Sequence, residues 1–336
     1  MDQEIDFDSH EDLPVLPPHS SPFCWRCFVF MKKILQIQKS KSSIDTREKL
    51  ISFLGLKKEK FEECFKVIPL LYELTPILKK NNAGYRKLSI PKQELRDIQR
   101  CVLDKIFTDI KLPSCVYGFS SGKSIVENAK YHSKNDYLLN LDIKDFFPSV
   151  HFERVRQIFK DLGFNDSVSE ILCILTTYNH ELPQGAPTSP LLASLALNNL
   201  DKRLMKLASL NHILYSRYFD DISFSGSKRI LDIEETIKQI IRSENYRINS
   251  KRYLYGKGEA KEINGISISS GKLFLKNTDD LMGYLEDLKN FGVSKLRSDN
   301  PEKERKSLIG KISFLKEVDI EKGVEAKNLL ETIKWL

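Results

Sequence analysis

Residues 213–218 and 222–225 read as two strands joined by a turn at 219–221, and the turn, Tyr218-Phe219-Asp220-Asp221, carries two adjacent carboxylates. Aspartate tolerates turn backbone, but neighbouring like charges repel. A related problem stands earlier, where Leu138 to Ile143 forms an apolar run typical of a buried strand, closed by Pro148. Its Asp142 lies at the strand end, where desolvation is costly unless a cation or hydrogen bonds compensate. A hard divalent cation would relieve both difficulties. Magnesium takes oxygen ligands, keeps several waters and is commonly held by one or two carboxylates plus substrate phosphates. In isolation each motif has an ordinary reading, with Asp145 and Asp221 as solvated turn residues and Asp142 as a helix cap.

A chain of 336 residues, 41% apolar and 29% charged, falls within the globular range and is long enough for one large core or a few small ones. No apolar run approaches the length of a membrane span. Residues 1–12 carry six acids and no base, which argues against a signal peptide. The six cysteines are scattered, as expected for reduced thiols in a cytosolic protein. Cys24 and Cys27 form a CxxC with no second pair nearby, so an apolar patch is favoured over a zinc site. The net charge of +7 is localised: residues 31–130 hold 21 basic against 11 acidic side chains, a distribution suited to a polyanion.

Residues 1–22, acidic and then proline-rich, read as a disordered lead, and Met31-Lys-Lys-Ile reads as an alternative translation start followed by a helix. From Ile44 to Lys80 the apolar positions recur at helical spacing. Residues 84–91 alternate as a basic strand, 92–110 return to helical period, and a short strand pair is expected around Ile263 to Phe274. Helices follow to the end, one signposted by Asn300-Pro301. Gly118-Phe-Ser-Ser-Gly122-Lys123-Ser124 is one residue short of a nucleotide-binding P-loop, and an ATP site is not expected there.

In their order and spacing, Asp142 to Asp145 and Tyr218 to Asp221 match motifs A and C of the reverse transcriptase palm. Leu182-Pro-Gln184-Gly185-Ala-Pro-Thr-Ser-Pro190 resembles motif B, Tyr85-Arg86-Lys-Leu-Ser-Ile-Pro91 the basic finger strand, and Asn249-Ser-Lys251 the later lysine motif. The resemblance spans about residues 84 to 268. It implies an α+β right-hand polymerase with fingers, a palm whose antiparallel sheet carries the YxDD hairpin, and a small helical thumb. The expected divisions are a disordered extension at 1–30, N-terminal helices and fingers at 31–110, a palm at 111–268 with a finger insertion at about 152–182, and a thumb at 269–336.

The resemblance also implies roles. Asp142 and Asp220 bridge two Mg2+ ions with the Ile143 carbonyl as a further ligand, while Asp221 stands just outside them. Arg86 contacts the incoming deoxynucleoside triphosphate, where its planar fork of donors outperforms a lysine, and Gln184 and Lys251 support the nucleotide. Phe147, five residues after Asp142, is the steric gate against a 2′-hydroxyl.

Asn128-Ala129-Lys-Tyr-His132 is similar to the NAxxH segment of retron enzymes, and Ile263-Asn264-Gly265 stands where they carry Val-Thr-Gly. Asn128 and His132 share a helical face, and with Asn264 and Gly265 they are expected to contact RNA. Phe219 occupies a position where retron enzymes usually have alanine. A retron enzyme implies a cognate noncoding RNA serving as template and primer, a branched RNA–DNA product, an effector protein partner and anti-phage defence. Another bacterial reverse transcriptase, from a group II intron or a different defence system, is the alternative, and a catalytically dead RNA-binding scaffold is the rival of another class.

Overall fold

The computed structural model describes residues 41–78, 84–120, 122–250 and 253–335. The expected N-terminal extension, the helix after Met31, the Cys24 and Cys27 pair and Lys251 lie outside these residues.

Helices α1 (Arg47–Leu54) and α2 (Lys58–Lys66) come first. The Thr46 hydroxyl accepts from the Lys49 N–H to cap α1, and Gly55 ends it at φ 72°, a left-handed conformation open to glycine without steric cost. The helical period expected through Lys80 stops early, because Tyr72–Leu78 is strand β1, paired antiparallel with β2 (Tyr85–Pro91). Pro76 lacks the N–H that a helix interior needs, and Thr75 and Ile77 are β-branched, so a two-stranded ribbon satisfies this backbone better. Helix α3 (Gln93–Ile106) buries Leu95, Ile98, Val102 and Ile106 along one face.

The central sheet has the order β4-β5-β3-β6, antiparallel throughout, from β3 (Tyr137–Asp142), β4 (Leu214–Tyr218), β5 (Asp221–Gly226) and β6 (Tyr253–Tyr255). Both faces of strand β3 are covered, Leu139 and Leu141 by the main apolar core and Leu138 by a second cluster, which explains why all three leucines are buried rather than alternating. Helix α4 (Ile125–His132) precedes this sheet. Helices α5 (Phe146–Ser149), α6 (Phe152–Asp161), α7 (Asp166–Thr176), α8 (Ser189–Ala196), α9 (Asn198–Leu210) and α10 (Ile230–Ser243) complete this part. Helix α7 packs on α1 and α3, and one apolar core runs from Ile44 to Tyr246.

Where a strand pair was expected there is a three-stranded meander, β7 (Lys261–Ile263), β8 (Ile266–Ser269) and β9 (Lys272–Phe274). Ile263, Ile266 and Ile268 pack with Val126, Ala129 and Leu138. Beyond it, α11 (Thr278–Phe291), α12 (Pro301–Val318) and α13 (Ile320–Thr332) enclose a separate core around Leu285, Leu308, Leu315 and Ala326. The Asn300 side chain accepts from the Lys303 N–H at 2.9 Å, and Pro301 opens the helix as its sequence signal predicts. No helix among the described residues is long and apolar enough to cross a membrane. Cys64, Cys101, Cys115 and Cys173 are free thiols.

Helices α12 and α13 meet at Gly323, where an added Cβ would lie 2.3 Å from the Lys316 Cα. Backbone cannot yield there as a flexible side chain would. Gly323→Ala should therefore destabilise the C-terminal helices by about 1–3 kcal/mol. Urea unfolding checks this, and an unchanged midpoint would show that the two helices do not pack this closely.

Candidate active site

Register brings the acidic residues together. In the β3–β5 ladder Asp142 stands opposite Asp221, and the Ile143 N–H donates to the Asp220 carbonyl at 3.1 Å. The turn is tight because Phe219 adopts φ 57°, a left-handed conformation uncommon for so bulky a residue. Gly118 passes close by, since a Cβ there would lie 3.2 Å from the Phe219 nitrogen.

Asn249 secures Asp142 twice. Its backbone N–H donates to the Asp142 carbonyl at 2.8 Å and its side-chain Nδ2 to Oδ2 at 2.5 Å. Asn264 Nδ2 donates to Asp221 Oδ2 at 3.0 Å. A pocket of about 360 Å³ opens here, lined by Asn140, Asp142, Asp221, Asn249, Ser250 and Tyr253.

Burial raises all three carboxyl pKa values. Asp220 is pushed up to about 6 by desolvation and then by Asp142, and Asp221 to about 7 by desolvation and then by Asp220 and Asp142. The Asp221 side chain opens onto the cleft, yet the surrounding protein still limits its hydration.

Three crowded carboxylates with raised pKa values fit a cation better than they fit one another. Among the described residues no three acidic, histidine or cysteine side chains close into a ready metal cage. A hard divalent cation takes oxygen ligands and can complete its shell with water and phosphate when only one or two protein carboxylates reach it.

A pH dependence follows. Because the native pKa values lie above the usual carboxylate range, the metal-free fold binds more protons than the unfolded chain between about pH 4 and 7, so this group of residues costs it stability as pH rises through that window. A bound cation reverses the penalty. Added Mg2+ should therefore raise the melting temperature more at pH 8 than at pH 5.5; an equal increment at both would show that these carboxyls do not take up the ion.

Arg86, on β2, partly offsets the rise in pKa of both Asp142 and Asp220, so its charge reaches the site from the β1–β2 ribbon. The Gln184 carbonyl accepts from the Ser89 N–H at 2.8 Å, tying the loop before α8 to β2. Gly185 is required at that contact: φ is 125°, and a Cβ would come within 3.1 Å of Ile90 Cγ1 and 3.3 Å of the Ser89 carbonyl. Phe147 is half-buried on α5, its ring 5.7 Å from Phe146.

The expected RNA contacts at Asn128 and His132 need correction. Both do share one face of α4, but it is the inner face, and they are 0% and 1% exposed. Each is hydrogen-bonded to palm side chains: Asn128 to Ser216 and Asn264, His132 to Ser216 and Ser225. Asn264 and Gly265 form the two-residue turn between β7 and β8 with φ 50° and 83°, values that favour Asn-Gly.

Sequence reasoning missed the fully buried Arg217, just before the turn. It forms a bidentate pair with Asp201 on α9. An arginine inside an apolar strand was the available signal, because such a charge is seldom buried without a partner.

An antiparallel sheet that presents acidic residues on a hairpin, opposite another at the end of the neighbouring strand, defines a nucleic-acid polymerase palm. Residues 77–256 match the family described as reverse transcriptase (RNA-dependent DNA polymerase), and the chain belongs to that family. Among curated proteins it is 35% identical over 191 residues to the retron Ec86 reverse transcriptase of Escherichia coli, covering 56% of this chain and 60% of that one. It is 28% identical over 263 residues to the retron Mx162 reverse transcriptase of Myxococcus xanthus, covering 68% and 54%. Against the retron Ec48 reverse transcriptase of Escherichia coli the match is 26% over 330 residues, covering 91% and 80%. The matches to the first two span little more than half of those relatives' length.

Proposed function

We propose that this protein is an RNA-directed DNA polymerase of the retron type, which copies a cognate structured noncoding RNA into branched, multicopy single-stranded DNA. The observation that carries the reading is the meeting of Asp142, Asp220 and Asp221 at one end of β3 and β5. Similarity to retron reverse transcriptases supports the copying of an RNA template, and the proposal extends from there to a branched product, an effector partner and a cytoplasmic role in phage defence.

In this reading the carboxylates of Asp142 and Asp220, with the Ile143 carbonyl, would hold two Mg2+ ions, with Asp221 beside them. The ions, when bound, supply Lewis acidity that eases deprotonation of the primer hydroxyl and stabilises charge on the attacking and leaving oxygens. Arg86 orients the triphosphate through its fixed fork of donors. Gln184 braces the nucleotide pocket from the loop it anchors to β2, and Lys251 supports the nucleotide.

Purification from cells and analysis of the bound nucleic acid tests the retron reading. A short DNA branched from RNA supports it, whereas nucleic-acid-free protein that extends no primer on structured RNA in Mg2+ rejects it.

Phe147 offers a finer test. Phe147→Ala should admit ribonucleotides, shifting the dNTP-over-NTP ratio of kcat/KM by about 10²-fold or more, because a steric clash with the 2′-hydroxyl is removed. Single-nucleotide incorporation measures this, and an unchanged ratio would remove the gate assignment.

A further inference from the structure

Six side-chain hydrogen bonds run from the end of α4 to the acidic turn, and their directions follow from what each atom can donate. Asn128 Oδ1 only accepts, so the single proton of Ser216 Oγ points to it, at 2.6 Å. Ser216 Oγ must then accept from His132 Nε2 at 2.7 Å, which places the ring proton on Nε2. Burial pushes the His132 pKa down to about 3, so the ring is neutral and its Nδ1 accepts from Ser225 Oγ at 2.6 Å. Ser225 Oγ accepts in turn from Asn135 Nδ2 at 2.8 Å. Onward from α4, Asn128 Nδ2 donates to Asn264 Oδ1 at 2.9 Å, and Asn264 Nδ2 donates to Asp221 Oδ2 at 3.0 Å. Every donor points toward the Asp221 carboxylate.

We propose that Asn128, His132, Ser216 and Asn264 are positioning residues, a polarised relay that anchors Asp221 Oδ2 and so sets where the second charge of the turn stands relative to Asp142 and Asp220. A head-to-tail chain polarises each link, so the last amide is a stronger donor than an isolated asparagine. The anchor matters because three negative charges share the site, and rotation of Asp221 would change the field at the other two. Asn264 suits the final position because one residue supplies both the left-handed turn backbone and the amide. Burial of Asn128 and His132 excludes direct contact with RNA and leaves the relay as their use.

The relay's consequence rests on the polymerase reading, but its geometry does not, and the test separates the two. Asn264→Gly keeps the positive φ while deleting the donor, and Ser216→Ala breaks the line two bonds upstream. Both variants and their combination are compared by electron paramagnetic resonance titration of Mn2+ without nucleic acid, by the Mg2+ concentration for half-maximal DNA synthesis, and by the dNTP KM.

Loss of a charge-assisted hydrogen bond should weaken Mn2+ binding and raise the Mg2+ requirement about tenfold in Asn264→Gly, with the dNTP KM within about twofold. Ser216→Ala should cost about threefold, and the double variant should be no worse than Asn264→Gly alone, because a severed last link disconnects everything upstream. Melting curves establish that the variants fold, and Ser225→Ala replaces Ser216→Ala should the latter unfold.

Long-range proton–nitrogen NMR of the unaltered protein should show His132 as the Nε2–H tautomer from pH 5 to 8, a readout that needs neither metal nor nucleic acid. The Nδ1–H tautomer, additive losses in the double variant, or an Asn264→Gly protein with unaltered Mn2+ affinity and Mg2+ requirement would each overturn the relay. Wild-type protein that shows the tautomer and Asn264-dependent Mn2+ binding yet makes no DNA would overturn only the polymerase reading.

Discussion

Replacing Asp220 and Asp221 together by alanine is expected to lower DNA synthesis at least about a thousandfold, because the turn would lose every side-chain oxygen it offers a catalytic cation. RNA binding should persist, since the basic excess of residues 31–130 is untouched. The same variant should not be less stable in metal-free buffer at pH 8. Both carboxyls have raised native pKa values, so holding them ionised costs the fold energy at that pH, and their removal ends the cost. Lost synthesis with an equal or higher melting temperature is the signature of a site held at the expense of stability. Retained synthesis would remove the metal-site assignment, while a collapsed fold would show the two aspartates to be structural.

Arg217→Met is expected to destabilise the protein by about 3–5 kcal/mol, chiefly because it strands the buried Asp201 carboxylate. Arg217 Nε and Nη2 donate to Asp201 at 2.8 to 3.0 Å, Nη2 also donates to the Ser194 carbonyl at 2.8 Å, and Nη1 lies 3.4 Å from the Phe219 carbonyl. The Tyr215 hydroxyl donates to the same carboxylate at 2.7 Å. This knot ties β4 to α8 and α9 two residues before the acidic turn. Arg217→Met with Asp201→Leu should recover most of the loss, since no charge is then left unpaired. Urea unfolding of the single and double variants decides it: a loss under about 1 kcal/mol in the single variant would place the pair with weak surface bridges.

The acidic residues were legible because their difficulty is local. Asp142 ends an apolar run and Asp220 adjoins Asp221 in a turn, so burial and repulsion can be inferred before any contact is known. The cap at Asn300 and the strands β3, β4 and β5 were legible in part for the same reason, being set within a few residues. Strand β1 was misread because the apolar spacing of Leu71 and its predecessors runs into it, and only pairing with β2 shows where the helical period ends. Strand β6 was invisible, since three residues hold no period and Tyr253–Tyr255 is a strand through its partner β3 alone.

Asn128 and His132 mark the boundary most clearly. Their four-residue spacing established that they share a helical face. Which way that face looks was beyond any local pattern, because it depends on Ser216, Ser225 and Asn264, brought beside α4 by the sheet and the meander. The linear order of residues was enough to identify Asp142, Asp220 and Asp221 as groups that would be costly to hold together without a partner, though not the buried Arg217. Naming the partners took the folded chain, since a hydrogen bond acts over about 3 Å while Asn128 and Asn264 are 136 positions apart.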